Sequence, residues 1–131
     1  MKKIAILGKL ETKYDAPFDD PSWEIWSMNK HKDESLIPRV DRWFDIHIKP
    51  DKKDADILRR DFPFEECKNL IGGNYFCTTS SFLIAYAILL GATHIALYGM
   101  RFTRRITTHM PSACPDAAMF VARLTDCRSL S

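Results

Sequence analysis

The chain has 131 residues, which is enough for one domain with a single core but small for a complete doubly wound sheet. Its apolar fraction of 46% and charged fraction of 27% are typical of an ordinary globular protein. The net charge of +2, with basic residues scattered among acidic ones, argues against nucleic acid as a partner. The longest apolar run, residues 82–90, is far shorter than the roughly 20 residues of a membrane span, and the N-terminus lacks a signal-peptide pattern. We therefore expect a cytoplasmic protein that has no membrane partner.

The cysteines are expected to be free thiols. No two of them form a CxxC pair, and reducing compartments keep such thiols unpaired. A zinc site that combines them with His94 or His109 lacks the usual ligand spacing, so no metal is predicted, and no cofactor can be identified. The four residues are Cys67, Cys77, Cys114 and Cys127.

Apolar runs in the first half of the chain predict three strands. Residues 3–7 form a continuous apolar run that ends at Gly8, as expected for a central parallel strand covered on both faces. Residues 23–28 are rich in aromatic and apolar side chains and end at Asn29. A third strand, with less regular alternation, is predicted at residues 40–47.

The second half of the chain predicts two helices and a further main strand. Residues 51–60 are predicted as a surface helix, followed by a loop region and a short strand at residues 74–77. A buried helix then runs to Leu90 and is closed by Gly91, since glycine commonly follows the last turn of a helix. Residues 94–99 form the next buried strand.

The alternation of strands with helices predicts an α/β fold, three-layered and Rossmann-like, with a mostly parallel sheet of four or five strands within residues 1–100. In such sheets ligands bind beyond the carboxyl ends of the strands. The four main strands end at Gly8, Asn29, His47 and Gly99, so these residues should lie along one edge.

The predicted long helix opens on hydroxyl-bearing residues. Its first backbone N–H groups have no partner within the helix and carry a partial positive charge, which suits a phosphate or carboxylate. We therefore expect a small anionic ligand, in the first place a nucleotide. The predicted ligand-binding residues are Gly8, Asn29, Thr78, Thr79, Ser80 and Gly99.

Each candidate has a structural alternative. Gly8 could admit a ligand or simply turn the chain, because Gly8-Lys9-Leu10 is neither a GxGxxG motif nor a P-loop. Asn29 could bind a base or sugar, or cap the next segment. His47 is the one catalytic candidate, as an acid–base group, and its alternative is a structural tie to Asp45 or to backbone.

Several stretches of the chain resemble a group of small phage and prophage proteins: residues 3–8, 16–26, 42–47 and 78–100, together with Asn29. Within them, the strings Trp-Glu-Ile-Trp and Arg-Trp-Phe-Asp-Ile-His are fairly specific to that group. These proteins are Rossmann-like and mostly uncharacterised. The resemblance covers about residues 3–100. It implies that the protein is encoded by a phage and acts in the host cytoplasm.

A more distant likeness is to bacterial sialyltransferases that use CMP-activated sugars. In their pattern a glycine follows the first strand and an asparagine follows the second. A later helix begins with Thr-Ser-Gly and ends in Leu-Gly. The strand after that helix ends in Gly-Ile-Asp. The likeness implies that Asn29 and Thr79 hold the nucleotide. The matching positions here are Gly8, Asn29, Thr78-Thr79-Ser80, Leu90-Gly91 and Gly99-Met100.

Residues 101–131 form an atypical tail that departs from both groups of proteins. Both have an acidic residue after the position of Met100, where this chain has Arg101, and Pro111 and Pro115 interrupt the tail. We hypothesise that the tail, within the same single domain, arises from a shifted reading frame or an alternative ending that removes the last strand. An uninterrupted frame through residue 131 in related genomes would contradict this. A sheet edge left open in this way favours a homodimer.

Together these features predict a phage-encoded protein that binds a nucleotide or nucleotide sugar and is glycosyltransferase-like. The alternative is a non-enzymatic phage accessory protein that binds a host nucleotide or a protein partner, and Arg101 favours this alternative. A degraded remnant without function is a third interpretation. The sequence does not decide whether the chain is an enzyme.

Overall fold

A six-stranded sheet is the framework of residues 2–71, 79–100 and 107–109, which are the parts of the chain that the computed structural model describes. In these ranges two α-helices accompany the sheet, α1 (Phe64–Ile71) and α2 (Thr79–Leu89). The strands are β1 (Lys3–Leu7), β2 (Trp23–Met28), β3 (Arg42–Asp45), β4 (Ile57–Leu58), β5 (His94–Tyr98) and β6 (Thr107–His109).

The strand order is β4-β3-β2-β1-β5-β6. The strands β1 to β5 are parallel, and β6 runs antiparallel to β5. In the register, Ala5 of β1 lies between Ile25 of β2 and Ala96 of β5. The predicted α/β, Rossmann-like fold is thus confirmed. The chain moves outward from β1 to β4 and then crosses to the other side of β1, so the topological switch point lies between β1 and β5.

Side chains of β1 alternate between two apolar clusters, as the period of a strand requires. Ile4 and Ile6 belong to the larger cluster, which α2 covers. Ala5 and Leu7 belong to the smaller cluster on the opposite face, where turn segments supply residues such as Ala16. These four side chains are fully buried, and Lys3, the first residue of β1, is half-buried. This agrees with the central strand predicted from the continuous apolar run.

The helix α2 is largely buried, and it ends at the predicted glycine. Gly91 has a φ of 86°, a left-handed conformation that glycine adopts without strain. Its N–H donates to the carbonyl of Ile88, which satisfies one of the last carbonyls of the helix. No helix in the described ranges is long and apolar enough to cross a membrane.

The prediction of a surface helix at residues 51–60 is wrong. This segment contains β4 and then a 3-10 turn at Arg59–Asp61. It has too few apolar side chains to bury a helical face. Instead Ile57 pairs with Phe44 and extends the edge of the sheet.

One strand and one helix also differ from the prediction. β3 is shorter than residues 40–47, because after Asp45 the backbone N–H groups of His47 and Lys52 turn inward and donate to the Asp45 carboxylate. The helix α1 forms where a loop was predicted. Pro63 immediately precedes α1, and a proline at the start of a helix loses no hydrogen bond, so this was an available signal.

Some predictions lie outside the described residues. These are the strand at residues 74–77, Thr78, and the tail except for residues 107–109. The latter form β6 along the edge of β5. The shifted reading frame and the homodimer stay predictions.

Candidate functional site

Gly8 and Gly99 lie against each other at the switch point. The Gly8 N–H donates to the Tyr98 carbonyl over 2.7 Å, and the Leu10 N–H donates to the Gly99 carbonyl over 2.9 Å. A Cβ atom on Gly8 would lie 2.2 Å from the Gly99 oxygen, closer than any side chain tolerates. Close packing of two backbones therefore explains both glycines. Their contact with a ligand stays a prediction.

Beside this contact, a buried lysine connects the loops that follow β1 and β2. Lys13 has only 1% of its side chain exposed. Its Nζ donates to the Lys9 carbonyl over 3.2 Å and to Asp33 Oδ1 over 2.7 Å, and it contacts His31 Nδ1 at 3.0 Å. Asp33 also accepts a hydrogen bond from the Tyr14 hydroxyl. The hydrogen bonds from Lys13 and Tyr14 lower the pKa of Asp33 to about 2. The two loops are thus fixed relative to each other.

His31 sits beneath the same loops in a defined protonation state. A lysine ammonium can only donate, so Nδ1 of His31 must accept and the ring proton must be on Nε2. Nε2 lies 2.9 Å from Ser27 Oγ and 3.1 Å from the Met28 carbonyl. Burial and then the charge of Lys13 lower the pKa of His31, which favours this neutral form.

Above His31 is a cleft of about 560 Å³, which we call the lysine cleft. Lys9, Lys30 and Lys32 are exposed there, and none of them forms an ion pair within the described residues. Because Lys13 already balances the charge of Asp33, the cleft keeps an excess of positive charge. The residues that line it are Lys9, Lys30, His31, Lys32, Asp33 and Asp51.

Asn29 precedes Lys30 at the end of β2. It has a φ of 62°, a left-handed conformation that asparagine tolerates better than most residues. Its N–H donates to the Phe44 carbonyl over 2.7 Å, and its carbonyl accepts from Trp43 Nε1 over 2.6 Å. The backbone of Asn29 is therefore fixed by β3, and the contact of its side chain with a ligand stays a prediction.

Two buried side-chain oxygens near this cleft have no hydrogen-bond partner. Across the described parts of the chain, only Asn29 Oδ1 and Glu34 Oε2 are buried side-chain polar atoms without one. These two residues flank residues 30–33, which line the lysine cleft. A buried unpaired acceptor costs about 1–3 kcal/mol, so such groups often mark a functional position.

His47 lies two residues after the end of β3 and lines a different cleft. Asp45 is fully buried behind it and accepts a hydrogen bond from His47 Nδ1 over 2.8 Å. Burial opposes the charge of Asp45, yet hydrogen bonds from the backbone N–H groups of Lys52 and His47 and from the His47 ring outweigh it and lower the pKa of Asp45. The tie to Asp45 weighed as the structural alternative is therefore present, and catalysis by His47 stays a prediction.

We call this second cavity, of about 500 Å³, the histidine cleft. Pro50 lines it, whereas the next residue, Asp51, lines the lysine cleft, so one loop separates the two. Lys52 fixes this loop, with its Nζ 3.1 Å from Glu34 and 4.3 Å from the Trp43 ring centre. The residues that line the histidine cleft are His47, Ile48, Pro50, Leu58, Arg59, Arg60 and Phe64.

The start of α2 faces the same edge of the sheet. The helix ends at Leu89, shortly before β5 enters the sheet, so its first residue lies toward the carboxyl ends of the parallel strands. Thr79 is half-buried there and Ser80 is buried. Among the described residues, neither of them lines the lysine cleft or the histidine cleft. Their contact with a ligand stays a prediction.

Sequence reasoning did not identify Lys13, His31 or Arg59. Lys13 and His31 lie in segments that the sequence marks as polar loops, and nothing in their surroundings indicates burial. Within the described residues, no group of histidine, cysteine, aspartate and glutamate side chains is suited to hold a metal ion.

No protein-family model matches this chain, and comparisons with curated proteins and with solved structures find no significant match. The geometry at the carboxyl edge of the sheet therefore carries the functional argument.

Proposed function

We propose that this chain binds a small anionic ligand, a nucleotide or nucleotide sugar, in the lysine cleft. The observation that carries the proposal is the convergence of Lys9, Lys30 and Lys32, which have no carboxylate partner among the described residues. Their ammonium groups would bind the phosphates as point charges. The contacts of Lys13 with both loops reduce the ordering that a ligand must impose, which favours binding.

Asn29 is the residue that would recognise the rest of the ligand. Its side-chain oxygen is buried and lacks a partner, and Asn29 does not itself line the cleft but directly precedes Lys30, which does. An amide oxygen accepts a hydrogen bond from an exocyclic amine of a base or from a sugar hydroxyl. The likeness to CMP-sugar-dependent sialyltransferases points to the same residue, and it makes a cytidine nucleotide the first ligand to test.

A non-enzymatic accessory protein, encoded by a phage and acting in the host cytoplasm, is the second candidate. The observation that favours it is the separation of His47 from the lysines by the loop at residues 50–51. A transferase would need an acid–base group beside the bound nucleotide sugar. Product formation from an activated sugar distinguishes the two functions, because only the transferase releases a free nucleotide.

Thermal unfolding against CMP, UDP, ADP and their sugar conjugates tests the proposal. A ligand that binds only the folded state at about 100 times its dissociation constant adds about 2.7 kcal/mol, which raises the melting temperature by several degrees. The double variant Lys30→Glu/Lys32→Glu should lose this increase. The control Lys53→Glu/Lys68→Glu makes the same change of charge at exposed lysines that do not line the cleft, and it should keep the increase. Equal loss in both variants, or no increase with any nucleotide, would contradict the proposal.

A further inference from the structure

The histidine cleft contains an arginine that is held in place and that has no ionic partner among the described residues. Arg59 Nη1 donates to the Ile46 carbonyl over 3.2 Å, and the guanidinium lies 4.8 Å from the centre of the Phe64 ring. No carboxylate pairs with Arg59 in the part of the chain that the structure describes. Its remaining N–H donors are therefore available in a fixed orientation.

The arrangement of His47 complements this arginine. Because Asp45 accepts from Nδ1, the other ring nitrogen, Nε2, remains for a ligand in the cleft. A protonated His47 would donate from Nε2 to an anion in the cleft. Arg60, with 81% of its side chain exposed, adds a second guanidinium at the rim, where its Nε also lies 3.9 Å from Asp61 Oδ2.

The rest of the lining that belongs to the described residues is apolar. Pro50, Leu58 and Phe64 provide carbon surface beside the charged groups. A ligand that fits both parts has a compact anionic group joined to a less polar body. Planar guanidinium groups bind the oxygens of phosphate in pairs, whereas an apolar wall favours an organic substituent.

We propose that the histidine cleft is a binding site for a phosphate monoester, with the phosphate between Arg59 and the protonated His47 and the organic group against Phe64. This site is distinct from the lysine cleft and needs no occupant there. Among the residues that the structure describes, the charged groups that face His47 are Asp45 behind it and Arg59 and Arg60 across the cleft, with Asp61 beside Arg60. Protonation of His47 therefore adds positive charge next to the two arginines, and bound phosphate offsets the resulting repulsion.

The test is an NMR titration of the whole chain with sulfate and with phenyl phosphate, followed through the His47 ring signals and the Arg59 side-chain signals. Sulfate stays a dianion over the pH range near 6.5 in which imidazole side chains ordinarily titrate. Any pH dependence of sulfate affinity therefore reports on the protein alone. We expect sulfate to bind about tenfold more tightly at about pH 5.5 than at about pH 7.5, the factor typical of one charge-assisted hydrogen bond. Phenyl phosphate should bind more tightly than inorganic phosphate, because its ring contacts the apolar wall.

Three variants make the result specific. Arg59→Gln should weaken sulfate binding about tenfold. His47→Gln should abolish the pH dependence while it leaves weak binding at high pH. Lys68→Gln removes one charge from an exposed residue of α1 that does not line the cleft. It should change neither the affinity for sulfate nor the pH dependence of that affinity.

Failure of this proposal is separable from failure of the nucleotide proposal. Sulfate-induced shifts confined to residues 30–32 would place the anion in the lysine cleft and overturn the assignment of the histidine cleft. The absence of any saturable shift at His47 and Arg59 would also overturn it. Neither result bears on whether a nucleotide stabilises the chain through Lys30 and Lys32.

Discussion

The Nζ atom of Lys13 lies 3.0 Å from Nδ1 of His31, and this contact fixes the protonation of a buried histidine beneath the lysine cleft. An ammonium group has no lone pair to accept a proton from imidazole, so the contact is a hydrogen bond only while His31 is neutral. Protonation of His31 would place two positive charges in contact in a buried position. The loops on both sides of the cleft therefore depend on a neutral His31.

Stability should decrease when His31 is driven toward protonation. Burial, and then Lys13, lower the pKa of His31 in the folded state below its ordinary value of 6.5, so between these two values the unfolded chain binds more protons. The contribution of His31 is therefore complete above about pH 6.5 and is lost as the pH falls below it, by at most about 1.4 kcal/mol per pH unit. Urea unfolding at a series of pH values should show this decrease, and it should be smaller in His31→Gln.

The control for this measurement is His47→Gln, which removes an exposed histidine and should leave the His31-dependent decrease in place. A decrease below pH 6.5 of the same size in His31→Gln as in the unchanged protein would show that His31 is not its source.

Asp33 should contribute to stability in a separate and more acidic range. Its pKa falls from 3.8 to about 2 in the folded state through hydrogen bonds from Lys13 and Tyr14. The contribution is therefore complete above about pH 4 and is lost as the pH falls toward about 2. Asp33→Asn should lower the unfolding free energy at neutral pH and flatten the acid limb of the stability curve. Asp61→Asn, a change at an exposed carboxylate, should leave that limb unchanged, and a similar flattening in both variants would contradict the assignment.

The contact between Gly8 and Gly99 should not tolerate a side chain. Gly8→Ala places a methyl group 2.2 Å from a carbonyl oxygen of a neighbouring strand end, where neither backbone can move freely. We expect a loss of about 3 kcal/mol or more, at the upper end for overpacking. Gly91→Ala is the matched control, because its methyl group meets nothing within 4 Å and the cost is only that of its left-handed backbone, about 1–2 kcal/mol. If urea unfolding showed equal losses of unfolding free energy for Gly8→Ala and Gly91→Ala, the two backbones at Gly8 and Gly99 would not be closely packed.

The central strands and α2 were predictable from sequence, because their signals are local. Residues 3–7 are apolar throughout and end at a glycine, and this pattern has few interpretations other than a central parallel strand. The two residues of β4 carry no such signal. Ile57 is in a strand because the edge of β3 offers it a partner, and this tertiary effect overrides local preference.

The candidate site was predictable only in part. Strand ends identified Asn29 and His47, and the sequence separation of two made the tie between His47 and Asp45 foreseeable. Lys13 was not predictable. Its burial depends on Asp33, which is 20 residues away, and a lysine in a polar segment usually points to solvent.

Nucleotide binding in the lysine cleft can be measured by titrating CMP, and then the other nucleotides, into isotope-labelled protein while backbone amide signals are recorded. We expect saturable shifts concentrated at Lys9, at Asn29 and at residues 30–33, and their loss in Lys30→Glu/Lys32→Glu but not in Lys53→Glu/Lys68→Glu. Shifts confined to other parts of the sheet edge, or no saturable shift with any nucleotide, would contradict it.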